Sequence, residues 1–298
     1  MIKILVICGP TAVGKSSLSI KIAKKYDGEI INADASQFKK LLNIGTAKIT
    51  NEEMQGIKHH LIDIIDVNDE FSINDFQKMG RDAIEDIASR NKLPIIVGGS
   101  GLYIDALISD YDLKATKSNH NLLNEEYKNY SNEELYELLK KLDEDLAAHT
   151  HMNNRNRVIR YIERAKEGSK FETSKPKLLY DCMLIFLNKD RKLLYDDINR
   201  RTMEMIDNKW IDECVDLRNK GINLTDIKEI GYKEIGMYLD NSVTKEEMIE
   251  LIQKETRHYA KRQITWFKNK TNAIMIDANC LNVDDLYLSI NNFLMKRD

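Results

Sequence analysis

The chain has 298 residues, which suits about two domains and a sizeable hydrophobic core and excludes a mini-protein. Hydrophobic residues make up 42% and charged residues 31%, with only 3 prolines and 13 glycines, so collagen-like, low-complexity and wholly disordered chains are excluded. The 45 lysines and arginines against 48 aspartates and glutamates give a net charge of −3, so any nucleic-acid binding must come from local basic patches.

Short apolar runs in the first hundred residues predict strands. Residues 2–7 form a nearly unbroken apolar run, which is typical of a strand buried on both faces of a parallel sheet. Further apolar runs lie at 30–31, 61–65 and 94–97. They predict three more strands of the same sheet.

Segments with helical periodicity separate these runs. Apolar residues recur at helical spacing over 16–26 and 76–90. The alternation predicts an α/β fold with a parallel sheet, helices on both faces, and ligands beyond the carboxyl ends of the strands. Gly9, Asp34 and Gly98 follow three of these predicted ends.

The segment after the first strand matches the phosphate-binding pattern GxxxxGK[ST], between a predicted strand and a predicted helix as this pattern requires. Its backbone N–H groups and the positive helix end can hold a diphosphate, while Lys15 neutralises the oxygens and Ser16 suits Mg²⁺. The loop therefore predicts a P-loop NTPase-like core, without telling which phosphate ester is bound. Its residues are Gly9, Pro10, Thr11, Ala12, Val13, Gly14, Lys15 and Ser16.

A carboxylate is expected near this loop. Asp63 or Asp66, at the predicted strand 61–65, can serve as the Mg²⁺-binding acid of a P-loop NTPase. Asp34 is the rival, because it follows the second strand and should lie at the loop mouth. A strand-end Asp is also a common cap or turn residue, so all three remain candidates at this point.

The character of the sequence changes after residue 112, where the strand runs give way to polar helical sequence. This predicts a core of residues 1–112 and 180–298, with an inserted all-helical domain at 113–179. The stretch between residues 119 and 150 contains eight acids and three lysines. The stretch between 153 and 177 contains eight bases and three acids, so the sign of its charge is reversed. The basic stretch is either an RNA-binding surface or a solvated helix face.

After the insertion, residues 183–187 predict a strand that returns to the core, and helical sequence fills the remainder. Basic residues recur between 254 and 270, beside Trp266 and Phe267. We expect these two aromatic side chains to pack in the core rather than stack on bases.

The ordered set of motifs resembles the tRNA dimethylallyltransferase family, bacterial type, over nearly the whole chain. Each motif is weak alone, but the order and spacing are specific. The motifs are GPTAVGKS at 9–16, ADASQ at 33–37, IGTAK at 44–48, HHLID at 59–63, GGSGLY at 98–103, RVIR at 157–160, GYKE at 231–234 and TRHYAKRQITWF at 256–267.

The resemblance implies that the P-loop holds dimethylallyl diphosphate with Mg²⁺, and that N6 of the adenosine 3′-adjacent to the tRNA anticodon attacks the allylic C1. It implies that Asp34 accepts the N6 proton and that Ser100 hydrogen-bonds the diphosphate region. It also implies that Lys233 binds the diphosphate together with the P-loop. Ser100 is otherwise an ordinary helix N-cap.

The resemblance further implies RNA contacts to the anticodon stem-loop, whose target adenosine must leave its stack. Arg157 and Arg160 lie three apart, hence on one helix face, and would contact phosphates. The residues assigned to tRNA binding are Asp34, Ala35, Ser36, Gln37, Asn156, Arg157, Val158, Ile159 and Arg160.

Five positions depart from the family pattern. Ala35 stands where the family has Ser, Lys39 where it has Tyr, Ser100 where it has Thr, Tyr161 where it has Ala, and Lys209 where it has Gly. Ser100 keeps the hydroxyl group. Ala35 and Lys39 flank the expected nucleobase site, so their effect falls on the target RNA and the catalytic efficiency.

Three other functions stay open on sequence grounds. An isopentenyltransferase for free adenine nucleotides would not need the basic insertion. A small-molecule kinase would use the same loop for ATP. An RNA-binding protein with a relic nucleotide loop would fit the changes at Ala35 and Lys39.

The cysteines and the hydropathy bear on location. Cys8, Cys182, Cys214 and Cys280 form no CxxC pair and no zinc-type cluster, so reduced thiols are expected. The apolar start is too short for a signal peptide, and no apolar run approaches the ~20 residues of a membrane span. We therefore expect a cytoplasmic monomer without membrane contact.

Overall fold

A computed structural model describes residues 1–110, 125–166, 177–268 and 272–296. The chain divides into two compact units. Unit 1 comprises Met1–Ser109 with Leu178–Asp298, and unit 2 comprises Asp110–Lys177. The sequence placed the corresponding borders at 112/113 and 179/180.

Unit 1 contains a six-stranded parallel sheet with the order β3-β2-β4-β1-β5-β6. The central strand β1 pairs with β4 from Leu5 opposite Ile95, and with β5 from Lys3 opposite Asp181. The carboxyl ends of all strands thus lie at one edge of the sheet, as predicted. The strands are β1 (Lys3–Cys8), β2 (Gly28–Asn32), β3 (His59–His60), β4 (Leu93–Gly98), β5 (Asp181–Asn188) and β6 (Ala273–Asp277).

Helices surround this sheet. In unit 1 they are α1 (Lys15–Lys25), α2 (Asn51–Met54), α3 (Ile73–Ser89), α4 (Gly101–Ile108), α8 (Arg191–Asp207), α9 (Trp210–Asn219), α10 (Tyr232–Leu239), α11 (Lys245–Lys268) and α12 (Val283–Met295). Short 3₁₀ helices span Ala35–Phe38 and Leu224–Asp226. Unit 2 contains α5 (Asn132–Leu142), α6 (Glu144–Ala148) and α7 (Arg155–Lys166). None of these described helices has the length and hydropathy needed to cross a membrane.

Both faces of the sheet are buried, which explains the unbroken apolar runs. Ile4 and Val6 of β1 point into one hydrophobic cluster, together with α3 and α4. Leu5 and Ile7 point into a second cluster on the opposite face, with α1, α8 and α12. The α/β prediction is confirmed.

A third cluster fills the space among α8, α9, α10 and α11. Trp210 and Tyr232 are its largest members, and their rings meet edge to face at a centroid distance of 5.9 Å. A fourth cluster is the core of unit 2, where α5, α6 and α7 bury Leu135, Leu146 and Ile162.

Two predictions about strands are wrong. Residues 61–65 are not a strand, because Leu61 and Asp63 adopt positive φ values of 61° and 55°, which interrupt extended backbone. Only His59–His60 pairs with β2, and Ile65 makes an isolated bridge with Lys39. The predicted all-helical remainder also contains the edge strand β6.

Candidate active site

The P-loop joins β1 to α1 with backbone that requires glycine. Gly9 and Gly14 have φ values of 152° and 97°, and a Cβ on Gly9 would lie 2.4 Å from the Leu187 carbonyl oxygen. Gly14 is the N-cap of α1, and no side chain caps the helix. The first N–H groups of α1 are therefore free of side-chain partners within the described chain, as anion binding needs.

Lys15 lies across the loop, half-buried. Its Nζ donates to the carbonyl oxygens of Gly9 at 3.0 Å and Pro10 at 2.8 Å. Burial lowers the pKa of Lys15 to about 8, although the carboxylate of Asp34 opposes that shift. A bound anion would stabilise the charged form in the same way, so this ammonium suits a diphosphate.

Asp34 follows β2 and has one oxygen fixed and one open. Its Oδ1 accepts hydrogen bonds from Ser36 N at 3.2 Å and Ser36 Oγ at 2.7 Å. Its backbone N–H donates to Asn32 Oδ1 at 3.0 Å. Within the described ranges no group donates to Oδ2, which leaves one lone-pair face of the carboxylate for a ligand.

The two rival carboxylates do not join this site. Asp63 forms an ion pair with Lys48, and Asp66 pairs with Lys40 at 2.9 Å. Neither lines a cavity that contains P-loop residues. Because residues 61–65 are not a strand, the chain there does not deliver an acid to the loop mouth.

Three cavities meet at the P-loop and Asp34. The outer cavity, about 690 Å³, is lined by residues 12–17 together with α1 and α8. The mixed cavity, about 360 Å³, is lined by residues 34–36, 45–47 and 228–230 and by side chains of α8, α9 and α11. The polar cavity, about 80 Å³, is lined by Lys15, Ser16, Asn32, Asp34, Gln37 and His59 among others. Asp34 therefore faces both the mixed and the polar cavity.

Arg201 on α8 lines all three cavities and was missed by the sequence analysis. Burial lowers its pKa, and the carboxylate of Asp34 opposes the shift. Its guanidinium makes no hydrogen bond and no ion pair with any residue that the structure describes. An uncompensated cation beside a phosphate-binding loop is a candidate anion ligand.

Ser100 begins α4 at the end of β4. It occupies the N-cap position but makes no capping hydrogen bond with its side chain. The hydroxyl instead interacts with Tyr259 of α11, so the plain N-cap interpretation is not supported. Burial raises the pKa of Tyr259 to about 12, so this phenol stays protonated at neutral pH.

Glycines beside Ser100 let α11 approach closely. A Cβ on Gly99 would lie 2.0 Å from Gln263 Nε2, and a Cβ on Gly101 would lie 2.2 Å from Trp266 Cδ1. The buried Gln263 accepts a hydrogen bond from Thr11 N at 2.9 Å, which ties α11 to the P-loop. The sequence analysis did not single out Tyr259 or Gln263, and the TRHYAKRQITWF motif that contains both is the signal that could have identified them.

The predicted nucleobase residues lie around Asp34. Ala35 and Ser36 line the mixed cavity, and Gln37 lines the polar cavity. The Gln37 amide donates to the carbonyl oxygens of Thr46 and Ala47 at 3.5 and 3.3 Å. These bonds hold the 43–47 loop beside the site, and no group in the described ranges donates to the Gln37 side-chain oxygen, which can therefore accept from a ligand.

A carboxylate of α9 also holds the 43–47 loop. Glu213 accepts hydrogen bonds from the backbone N–H groups of Asn43 at 2.9 Å, Ile44 at 2.8 Å and Gly45 at 3.3 Å. It also accepts from the Tyr232 hydroxyl at 2.8 Å. A Cβ on Gly45 would lie 2.3 Å from Trp210 Nε1, so only glycine fits here.

Other predicted or divergent residues are further from the site. Lys233 is exposed on α10 and lines none of the three cavities, so its role at the diphosphate stays a prediction. Lys209 adopts φ 70° at the start of α9, a left-handed conformation that is strained for lysine and normal for the glycine of the family pattern. Lys39 forms an ion pair with Glu229 at 3.3 Å.

In unit 2, α7 presents a basic face. Asn156, Arg157 and Arg160 are exposed. Val158 and Ile159 have side chains that are fully buried in the core of the unit, so their assignment to tRNA binding stays a prediction that only their backbone could meet. The buried ring of Tyr161 lies under the Arg157 guanidinium at 5.2 Å, and its hydroxyl accepts from Arg157 Nε at 2.9 Å. Glu167, Lys170, Glu172 and Lys175 of the charged stretches lie outside the described residues.

The two aromatics of α11 differ in environment. Phe267 is buried against Phe186 at a centroid distance of 5.5 Å, which confirms the core prediction. Trp266 is 40% exposed, so the core prediction is wrong for this residue, and its Nε1 donates to Asp105 Oδ2 at 3.2 Å. Lys270, in the same basic set, lies outside the described residues.

Comparisons with known proteins agree on one family. The family described as IPP transferase matches residues 37–270. A protein named tRNA dimethylallyltransferase from Halalkalibacterium halodurans is 41% identical over 98% of this chain and 96% of its own. One of the same name from Pediococcus pentosaceus is 44% identical over 99% and 97%.

Solved structures are similar over the whole chain. The crystal structure of the full-length tRNA isopentenylpyrophosphate transferase from Bacillus halodurans is 40% identical, with a TM-score of 0.73, and covers 99% of this chain and 96% of its own. A eukaryotic dimethylallyltransferase acting on tRNA is 27% identical, with a TM-score of 0.83, and covers 100% and 81%.

Proposed function

The chain belongs to the IPP transferase family, and from this membership we propose that it transfers a dimethylallyl group from dimethylallyl diphosphate to N6 of the adenosine 3′-adjacent to the anticodon of tRNA, releasing diphosphate. The observation that carries the proposal is the position of Asp34. Its carboxylate lines the polar cavity with Lys15 and Ser16, and it also lines the larger mixed cavity. A base at this position can accept the proton of a nucleophile that attacks a diphosphate ester.

The P-loop is proposed to hold the diphosphate. The free N–H groups at the start of α1, Lys15 and Arg201 supply hydrogen bonds and positive charge to the leaving group. The exposed Ser16 hydroxyl, unbonded to any described side chain, suits Mg²⁺, which prefers phosphate oxygens and water to a full set of protein ligands. Among the described residues no cluster of three His, Cys, Asp or Glu competes for the ion. Bound Mg²⁺ would neutralise charge on the departing diphosphate.

The proposed step breaks the C1–O bond of the donor and forms an N6–C1 bond. The proton leaves N6 for the open Oδ2 of Asp34, while Ser36 holds Oδ1 and fixes the carboxylate. An aryl amine is a weak nucleophile, so a positioned base and a stabilised leaving group are both needed. Ser100, paired with the protonated Tyr259, offers a neutral hydrogen-bond donor at the same edge of the sheet.

The acceptor is proposed to be a flipped adenosine of the anticodon stem-loop. The mixed cavity combines apolar side chains, such as Ile198 and Met205, with polar groups, which suits a purine better than a phosphate. The basic face of α7 would contact RNA phosphates. We propose a cytoplasmic monomer that acts on tRNA, the substrate for which the relatives are named.

The alternatives receive less support. The relatives compared above are named for tRNA rather than for free nucleotides or for kinase activity. Asp34, Lys15 and Arg201 keep charged groups at the site, and Ser36 holds the Asp34 carboxylate, an arrangement that a relic site would not need.

The test is incubation of the protein with labelled dimethylallyl diphosphate and unmodified tRNA, with AMP and ATP as alternative substrates. We expect label in the tRNA, located by nuclease digestion at the adenosine beside the anticodon. Label in AMP alone, phosphoryl transfer from ATP, or RNA binding without any transfer would each replace the proposal with one of the alternatives.

A further inference from the structure

The ion pair between Lys39 and Glu229 is unusually enclosed. Lys39 Nζ lies 3.3 Å from Glu229 Oε2, and the two side chains are only 15% and 14% exposed. No other pair of a lysine or arginine with an acid in the described ranges has both partners this enclosed. Enclosing two charges costs hydration, so a pair like this is poor evidence for a gain in stability.

The pair stands at the wall of the mixed cavity. Glu229 lines this cavity together with Asp34, whereas Lys39 does not. The lysine thus pairs with the carboxylate from outside the cavity lining. The negative charge of Glu229 also contributes to the raised pKa values of Tyr103 and Tyr232, after their burial. Glu229 Oε1 accepts no hydrogen bond from any residue that the structure describes. One oxygen is therefore anchored and the other is open to an occupant of the cavity.

An ionised carboxylate only accepts hydrogen bonds, so its partner must be a donor. On the base of an adenosine the donor is the 6-amino group, which has two N–H bonds. If Asp34 accepts a hydrogen bond from one of these N–H bonds, the second still needs an acceptor in the mixed cavity. A 6-oxo purine would place an acceptor oxygen there, against a fixed negative charge.

We propose that Glu229, held by Lys39, is a specificity-determining residue that accepts a hydrogen bond from the target adenosine and thereby selects a 6-amino purine. The proposal rests on the proposed function, because it needs a nucleoside in the mixed cavity. The 2′-hydroxyl of the same nucleoside is the other donor that can meet this carboxylate.

The test is a double-mutant cycle between protein and RNA, measured as binding without the prenyl donor. The RNAs are anticodon stem-loops with adenosine, purine riboside or 2′-deoxyadenosine at the target position. The proteins are the wild type, Glu229→Ala, Glu229→Gln and the control Glu234→Ala. Glu234 lies five residues further along the chain, in the first turn of α10, and accepts a structural hydrogen bond from Gly231 N at 2.8 Å, but it does not line the cavity.

We expect the wild type to bind the adenosine RNA at least tenfold more tightly than the purine RNA, and Glu229→Ala to lose at least threefold of this discrimination. Glu229→Gln, which keeps the volume and a weaker neutral acceptor, should fall between them and serves if the alanine variant does not fold. Glu234→Ala should retain the wild-type ratio. Coupling with 2′-deoxyadenosine instead would overturn the selection of a 6-amino purine and assign the donor to the ribose.

Equal discrimination by the wild type and both Glu229 variants, with a lowered melting temperature, would overturn the proposal and make the pair a structural strut. A wild type that binds none of the stem-loops would overturn the proposed function together with it. Tight wild-type binding without coupling would overturn the Glu229 proposal alone.

Discussion

Lys15 is half-buried, and its ammonium forms no ion pair with a carboxylate among the residues that the structure describes. Its ammonium donates to two carbonyl oxygens of its own loop, and burial lowers its pKa to about 8. A bound diphosphate favours the charged form, so binding takes up a proton above that pH. The side chain is therefore prepared for an anion, and the donor site should be sensitive to pH.

We predict that donor affinity falls as pH rises through about 8, approaching tenfold per pH unit above it, because the free protein must then protonate Lys15 to bind. Calorimetric titration of dimethylallyl diphosphate between pH 7 and 9.5 measures this. Lys15→Arg keeps its charge over this range and should show a flat profile at whatever affinity it retains. A wild-type affinity that does not change between pH 7 and 9.5 would contradict the assignment.

At the scale of elements, one carboxylate accepts most of the side-chain hydrogen bonds that hold the start of the 43–47 loop. Glu213 accepts from three consecutive backbone N–H groups and from Tyr232, so α9 and α10 together position the wall of the mixed cavity. An amide in this place presents N–H groups to donors. Loss of the Glu213 carboxylate should therefore displace the 43–47 loop and weaken binding of the nucleoside in the mixed cavity.

We predict that Glu213→Gln lowers the free energy of unfolding by about 1–3 kcal/mol and raises KM for tRNA more than it lowers kcat. Urea denaturation and steady-state kinetics measure the two effects. Glu247→Gln is the matched control, because Glu247 accepts a capping bond from Thr244 N at 2.8 Å and lines none of the three cavities, so KM for tRNA should not change. An unchanged KM in Glu213→Gln would show that the loop does not position the acceptor.

The basic face of α7 has its own test. If Arg157 and Arg160 contact phosphates, changing both to alanine should weaken tRNA binding. The slope of log affinity against log salt concentration should also become shallower, by about 0.7–0.9 for each of the two lost contacts. The exposed Lys140 and Lys141 of α5 provide a control pair on the same unit. A slope equal to the wild-type slope would make the α7 face a solvated surface.

Elements with strong periodicity could be predicted from the sequence, whereas those set by backbone conformation could not. The apolar runs of β1, β4 and β5 and the helical stripes of α1 and α3 stand where expected, because two-sided burial and one-sided packing leave clear patterns. The strand predicted at 61–65 was wrong, because a hydropathy pattern carries no information about the positive φ angles that interrupt this segment. The edge strand β6 was missed because it is half exposed, with Met275 at 51%.

At the scale of the molecule, the candidate site joins residues that are remote in sequence. The P-loop and Asp34 were accessible from motifs at strand ends, where the topology of a parallel sheet concentrates ligands. Arg201, Tyr259 and Gln263 come from α8 and α11, which reach the site only through tertiary packing. Local sequence patterns do not encode that tertiary approach. The residues that α8 and α11 contribute to the site could therefore be identified only from the structure.

The stability of the whole fold should depend on Glu29. This buried residue of β2 pairs with Arg90 of α3 and with His60 of β3 at 2.8 Å, and these partners hold its pKa at about 2. Since this is below the usual 4.5, its stabilisation is full above about pH 4.5 and is lost as pH falls towards 2.

We predict that Glu29→Gln lowers the free energy of unfolding by about 3–5 kcal/mol at pH 7 and shows a shallower loss between pH 4.5 and 2 than the wild type. Denaturant unfolding across this range measures both. The exposed Glu85→Gln change on α3 should stay within about 0.5 kcal/mol of the wild type. Parallel pH profiles for wild type and Glu29→Gln would contradict the role of this pair.

The central claim is that Asp34 takes the proton from N6 during prenyl transfer, and single-turnover transfer to tRNA with both substrates saturating tests it most directly. Asp34→Asn keeps the shape and the bond to Ser36 but cannot accept the proton, so the rate constant should fall ~10²–10⁴-fold while both affinities stay within about tenfold. Asp66→Asn, an exposed acid paired with Lys40, should keep the wild-type rate. A wild-type rate constant in Asp34→Asn would contradict the account.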